Sequence, residues 1–407
     1  MSIIKKIRTV RVREYSNLTW VEIETDDGLT GLGEVWRGAE AVESAVHTDI
    51  ANYLLGKDAR NIERISRDLT TPYVGYHSSG AEIRAASAVD IALWDLFGKR
   101  MGVPVWEVLG GASRDKVKLY NTCSGYRYNA TATTVSVGAG RRIASGDEEM
   151  RGPYDDQVAF EKDAGKLAES LLAEGYSVMK IWPFDKYAVS NSNNLISLTD
   201  VEKGLVPFQK IREKAGKRME FMCEMHGIWN APSAIRIMKA LAPYEPLWVE
   251  DPLCKMDDFD ALRMLKDSTG VPICGCETLS GPLVFRQLLQ HGVLDYSMVD
   301  LGWCGGLSEG RKIAVVADSF NVPVAPHDCT GPILLWAGMH LAFHAGNAVF
   351  MEVVRANMAT WYKDLVDFLP EVNQGFCALP TRPGLGAALK PEVKERPDAV
   401  IRETTLN

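Results

Sequence analysis

The chain has 407 residues, of which 46% are hydrophobic and 24% charged, and it carries a formal net charge of −8. That length exceeds one ordinary core and suits a barrel joined to a second domain, and the globular composition excludes extended disorder. The basic residues are scattered rather than clustered, so neither nucleic acid nor an anionic membrane is an expected partner.

No apolar run of about 18 residues occurs, so no membrane span is expected. The opening Met1-Ser2-Ile3-Ile4-Lys5-Lys6 has neither the apolar core nor the cleavage site of a signal peptide. The eight cysteines form no CxxC pair, and several sit in apolar runs where a thiol behaves as a small hydrophobe. Free thiols in a reducing cytoplasm are the expectation.

In chain order, residues 1–115 mix strand and helix signals. Val10 to Arg13 and Leu18 to Thr25 have strand character, with a hairpin turn at Asp26-Asp27-Gly28. From about Gly80, apolar residues at Ala85, Ala88, Val89, Ala92, Leu93 and Leu96 recur at helical spacing, and Gly110-Gly111 is the expected stop. This segment is predicted to be an α+β cap.

From Val117 the pattern changes to short apolar strands alternating with amphipathic helices. The predicted strands are Val117–Tyr120, Ser177–Ile181, Glu220–Cys223, Leu247–Val249, Val271–Cys276, Tyr296–Val299, Val322–Ala325 and Ala348–Met351. Helices are predicted at Ala231–Leu241, Asp258–Leu265, Pro282–Gln290, Leu307–Phe320 and Ile333–Ala345. Such alternation implies parallel βα units, and eight strands close a barrel. The fold class is therefore α/β: a modified (β/α)8, TIM-like barrel over 116–355 with the α+β cap, and a segment 356–407 returning to the cap.

A polar residue stands at the end of nearly every predicted barrel strand. Lys180 is followed in this role by Glu224, Glu250, Glu277, Asp300, His327 and Glu352, and the successive intervals from Glu224 are 26, 27, 23, 27 and 25 residues. Each interval is one βα unit, so these side chains are predicted to meet at the barrel mouth. Three neighbouring carboxylates are costly to bury without opposite charge. A hard divalent cation with oxygen preference meets that need, so Glu224, Glu250 and Glu277 are candidate ligands for Mg²⁺.

Lys180 and His327 are the candidate bases, and Lys180 would have to be neutral for that role. Asp300 is placed to fix the His327 tautomer. Glu352 is expected to donate a hydrogen bond to an enolate oxygen, since a carbon acid needs its developing charge stabilised. His226, two residues beyond Glu224, is a candidate general acid for a departing hydroxide or, alternatively, a group that orients Glu224.

These residues resemble the enolase superfamily, mandelate racemase subgroup. The resemblance rests on Val249-Glu250-Asp251-Pro252, Gly275-Cys276-Glu277-Thr278, Val299-Asp300-Leu301-Gly302-Trp303-Cys304-Gly305-Gly306 and Ala325-Pro326-His327. It also rests on Asp90-Ile91-Ala92-Leu93-Trp94-Asp95-Leu96 and Val108-Leu109-Gly110-Gly111 in the cap. Glu224-Met225-His226-Gly227 and Ala325-Pro326-His327-Asp328-Cys329-Thr330-Gly331-Pro332 are similar to the galactonate dehydratase type.

The resemblance implies acid-sugar dehydration, with His327 and Asp300 removing the α-proton and His226 protonating the leaving hydroxyl. It departs from the subgroup at Glu224, where Asp is usual, and at Val178-Met179-Lys180, where the usual first lysine is replaced. In this family cap loops select the substrate, which singles out Trp36, Arg37, Tyr76 and His77 as candidate substrate contacts. The expected partner is a small carboxylate substrate, and the expected assembly a homo-oligomer. The alternatives are a racemase, epimerase or cycloisomerase using Lys180 and His327 on opposite faces, and a non-catalytic binding barrel.

Overall fold

The computed structural model describes residues 2–71, 79–130, 149–188 and 194–406. Three N-terminal strands, β1 (Ile4–Val12), β2 (Leu18–Thr25) and β3 (Thr30–Trp36), form an antiparallel sheet. β1 begins six residues before the sequence expectation. A register shift between Ile4 and Lys6 interrupts its pairing with β2 at the start, and the run Lys5-Lys6-Ile7-Arg8 carries a single apolar residue among charged ones, too few to mark a strand. The helix Ala81–Met101 packs across this sheet and ends at Gly102, not at Gly110-Gly111. Gly102 takes a left-handed φ of 71° as the C-cap, and its N–H reaches back to the Gly98 and Lys99 carbonyls.

Eight parallel strands follow: β4 (Lys116–Thr122), β5 (Val178–Ile181), β6 (Glu220–Glu224), β7 (Trp248–Glu250), β8 (Ile273–Gly275), β9 (Tyr296–Val299), β10 (Val324–Pro326) and β11 (Met351–Val353). β11 returns to pair with β4, and a parallel bridge from Val324 to Ala348 closes the ring between β10 and the approach to β11. The helices Ala231–Leu241 and Pro282–Gln290 run over the spans predicted from their periodicity, and Asn230 caps the first by accepting from the Ser233 N–H.

Inside the barrel, Tyr120, Val178, Met222, Trp248, Cys274, Met298 and Ala325 form a buried apolar ring, with Phe350 against it. Two residues further along, the same face carries Thr122, Lys180, Glu224, Glu250, Asp300, His327 and Glu352. Side chains alternate across a strand, so the polar set is stacked as the next layer toward the mouth. After these strands come β12 (Val372–Asn373), β13 (Phe376–Ala378), which pairs antiparallel with β4, and β14 (Ala399–Thr405), which adds to the free edge of β1.

The cap is docked on the barrel by buried carboxylates at helix N-termini. Glu34 on β3 accepts from the Ile333 and Leu334 N–H groups at 3.1 and 3.0 Å and from the Trp20 indole at 2.6 Å. Asp90 accepts from the Ser308 N–H at 2.9 Å and the Ser308 hydroxyl at 2.6 Å. Both cap the exposed amides of a barrel helix, Pro332–His344 and Gly306–Ser319 respectively. A Cβ at Gly331 would collide with Glu34, and one at Gly306 with Asp90, so glycine is required for this approach. Asp95 ties β3 to the tail, accepting from the Leu32 and Leu385 N–H groups, each at 2.8 Å.

Burial pushes the Glu34 carboxyl up to about 7, although its three donors pull the other way. A raised carboxyl binds its proton more tightly when folded, so its contribution is fully present below the ordinary carboxyl range near pH 4.5 and is lost as pH rises through about 7. Glu34→Gln keeps an acceptor but cannot titrate. Urea unfolding from pH 4.5 to 8 should show wild type losing up to about 3 kcal/mol relative to this variant; parallel curves would contradict the assignment.

Candidate active site

Lys180 ends β5 with its ammonium enclosed by three carboxylates. Its Nζ lies 2.5 Å from Glu250, 2.9 Å from Glu352 and 3.4 Å from Glu224, and all four groups are buried. Burial would lower the lysine, but the negative charges of Glu250 and Glu352 outweigh it and hold Lys180 well above its usual range. A base role for Lys180 therefore needs a positive charge close by to offset those carboxylates. They stand on β6, β7 and β11, a grouping that no local sequence feature discloses.

Glu224, Glu250 and Glu277 each present an oxygen, and these atoms lie within 4.8 Å of one another. Burial raises Glu224, but His226 and Lys180 more than offset it and hold it low, whereas burial and the adjacent Glu224 push Glu250 up. Burial likewise opposes ionisation of Glu277, and His327 overcomes it. A buried set of carboxylate oxygens that draws an ammonium into itself has the donor chemistry of a hard divalent cation site. Neither cysteine adjoining a ligand in sequence competes: Cys223 packs in the core outside the barrel wall, and so does Cys276. All eight cysteines are free, and Cys254 alone is exposed.

Across the mouth, His327 Nδ1 lies 2.6 Å from Asp300, and its Nε2 faces Glu277 at 3.0 Å and Glu352 at 3.8 Å. Burial works against the imidazolium, yet Glu277 and Glu352 raise His327 well above the ordinary range. Glu352 accepts from the Thr122 hydroxyl, from the Asp328 N–H at 3.0 Å and from Lys180. Burial disfavours its charge, but Lys180 and His327 prevail and bring it down to about 2. With Lys180 and His327 facing it, Glu352 accepts hydrogen bonds here, and donating one to an enolate oxygen would first require its protonation.

His226 divides its contacts. Its backbone N–H donates to Glu224 at 2.5 Å, so the main chain rather than the ring orients that carboxylate. Its Nδ1 meets Asp185 at 2.8 Å, and its ring stands edge-on to Trp182 with centroids 5.4 Å apart.

Of the cap residues, Trp36 stacks on Trp303 at 5.1 Å, and Trp303 lies 6.3 Å from the His327 ring. Arg37, at a left-handed φ of 70°, stands 6.0 Å from the Trp36 ring. Tyr76 and His77 lie outside the described residues. The sequence reading missed Thr122, Asp185 and Arg84, whose guanidinium sits 4.8 Å above Trp303. Thr122 had a signal, since it ends β4 as the other polar residues end their strands; Asp185 and Arg84 had none.

Residues 163–393 match the family described as enolase C-terminal domain-like, and residues 6–110 match the mandelate racemase/muconate lactonizing enzyme N-terminal domain. D-galactonate dehydratases from Xanthomonas euvesicatoria and Xanthomonas campestris are 32% and 31% identical, over 93% of this chain and 90% of theirs. A crystal structure of an enolase protein from Sargasso Sea environmental sequencing is 49% identical, with a TM-score of 0.88 and full coverage of both chains. An enolase of the mandelate racemase subgroup from Agrobacterium tumefaciens is 41% identical, with a TM-score of 0.85 over 99% of each chain.

If the carboxylate trio takes up a divalent cation, that cation stabilises the folded state by mass action, by about 2.7 kcal/mol at a hundredfold excess over Kd. Thermal unfolding of metal-stripped protein should shift upward with added divalent cations, and Glu250→Gln should remove most of the shift. No shift with any divalent cation would reject the site.

Proposed function

This chain belongs to the mandelate racemase/muconate lactonizing enzyme family of the enolase superfamily and is an enzyme of the hydro-lyase kind, and we propose that it dehydrates an acid sugar to a 2-keto-3-deoxy acid with Mg²⁺ as its cation. The observation that carries this reading is the placement of two imidazoles, His327 and His226, on strands four apart in an eight-stranded ring, beside the carboxylate trio.

In this reading Nε2 of His327 takes the proton from C2 of the substrate, and Asp300 holds the opposite ring nitrogen so that Nε2 is presented. Electrons from the C2–H bond form the enediolate, and the C3–O bond then breaks. His226 gives its proton to the departing hydroxyl, so water leaves, and the enol tautomerises to the 2-keto acid. Mg²⁺ held by Glu224, Glu250 and Glu277 would supply positive charge to the substrate carboxylate and offset the negative field that keeps Lys180 and His327 protonated. Lys180 and Glu352 then face the same reacting centre, Lys180 as an alternative base and Glu352, once protonated, as a hydrogen-bond donor to the remote enediolate oxygen. Trp36 and Arg37 line the cap side, and a hydroxylated or anionic distal end suits the cationic pair Arg37 and Arg84.

A second reading has one observation in its favour. Lys180 and His327 converge on Glu352 from separate strands, at 2.9 and 3.8 Å, which is how two bases serve opposite faces of one carbon in a racemase or epimerase. An acid-sugar panel incubated with Mg²⁺ separates the two, since dehydration alone yields a 2-keto acid that reacts with semicarbazide. Solvent deuterium entering C2 without keto product would reject dehydration. His226→Asn is expected to lower dehydration by about 10²–10⁴-fold while C2 exchange persists, and loss of both would count against its role as the acid. His327→Asn should suppress exchange and elimination together if it starts the reaction; preserved exchange would transfer that task to Lys180.

A further inference from the structure

Two histidines at the mouth are held in the same way by residues from different parts of the barrel. His327 follows β10, and its Nδ1 meets Asp300, which follows β9, at 2.6 Å. His226 follows β6, and its Nδ1 meets Asp185, which comes four residues after β5, at 2.8 Å. In each case the carboxylate comes from the strand immediately before in the ring, and the two pairs lie on opposite sides of it. Asp185 is 4% exposed and opens the short helix Asp185–Ala188 directly after Trp182-Pro183-Phe184.

We propose that Asp185 is the positioning residue for His226, forming a second Asp–His dyad that presents Nε2 of His226 to the leaving group. This deepens the dehydratase reading and rests on it.

Three observations combine here. A carboxylate bound at Nδ1 fixes the direction in which the imidazole ring faces and favours the tautomer with the proton on that nitrogen. The backbone of His226 is in the left-handed region, at φ 50°, and is clamped there: its N–H goes to Glu224 and the next N–H, of Gly227, goes to the Asp251 carbonyl at 2.7 Å. Trp182 then closes one side of the ring. The ring therefore has one principal remaining freedom, rotation about its side-chain bonds, and the Asp185 contact removes it. A side chain fixed in this manner at a strained backbone position is typical of a group whose direction matters to function.

The test uses full-length enzyme with its Mg²⁺ and an acid sugar that wild type dehydrates, assayed in D₂O. Formation of 2-keto acid and deuterium entry at C2 of recovered substrate are measured together for wild type, Asp185→Asn and Asp185→Glu. Asp185→Asn should lower kcat for dehydration by about 10²-fold, leave KM within about threefold, and raise the ratio of exchange to dehydration at least tenfold. Asp185→Glu, which retains the charge, should recover part of the loss. An unchanged ratio, or an equal loss of exchange and dehydration, overturns the assignment, because Asp185 would then be indifferent or would support the site as a whole. If wild type forms no 2-keto acid from any acid sugar, the dehydratase reading and the role of Asp185 fall together. A wild-type dehydratase indifferent to Asp185→Asn leaves that reading standing and removes only the dyad.

Discussion

One layer of the barrel holds Glu224, Glu250, Glu277, Asp300 and Glu352, all removed from solvent except for a partly covered Glu277. Lys180 and His327 are the basic side chains interleaved with them. Charge removed from water is tolerated only when it is compensated by opposite charge and hydrogen bonds. The acids outnumber the bases, so negative charge at the mouth is compensated only in part, and burial raises Glu250 and Asp300 in response. The uncompensated part draws Lys180 against Glu250, raises the affinity of His327 for its proton, and suits the trio to a divalent cation. The chemistry of the site is thus a consequence of incomplete charge compensation, held in place by strands that cannot move apart.

Carboxylates do a different job a short distance away. At the seam between cap and barrel, Glu34 and Asp90 meet backbone N–H groups at helix starts, while Asp95 joins β3 to the tail and also pairs with Lys99 at 2.6 Å. Amides at a helix start lack partners within the helix, so an acceptor brought from another domain satisfies them and orients the two bodies together. This explains the acidic residues of the Asp90-to-Leu96 motif without assigning them to catalysis. It also connects fold to function: docking β3 on the helix Pro332–His344 brings Trp36, at the end of β3, onto Trp303 and hence beside His327. The cap residues that face the mouth are placed by the seam.

Much of the site was legible because two one-dimensional rhythms coincide in it. The βα unit repeats at 23 to 27 residues from Glu224 to Glu352, and side chains alternate along each strand. A polar residue at the same phase of successive strands must therefore share a mouth, whatever the loops do. Glu277 still falls in this set, although it comes three residues after the interior Cys274 rather than two. The contact of His226 with Asp185 was not legible, since Asp185 lies in a turn beyond β5 with no period to mark it. The placement of Arg84 over Trp303 depends on how the cap helix crosses the barrel, which no spacing encodes.

The amino-acid order alone determined the α/β alternation, the acidic trio and the basic side chains that share its phase, and the helices whose apolar faces recur at 3.6 residues, because each of these is a local or periodic property. Only the folded chain decided which charges surround Lys180 and Glu352, the partner of each histidine, and the extent of β1 across its bulge. Those depend on distances between groups far apart in sequence, and electrostatic energy follows distance in space, not separation along the chain.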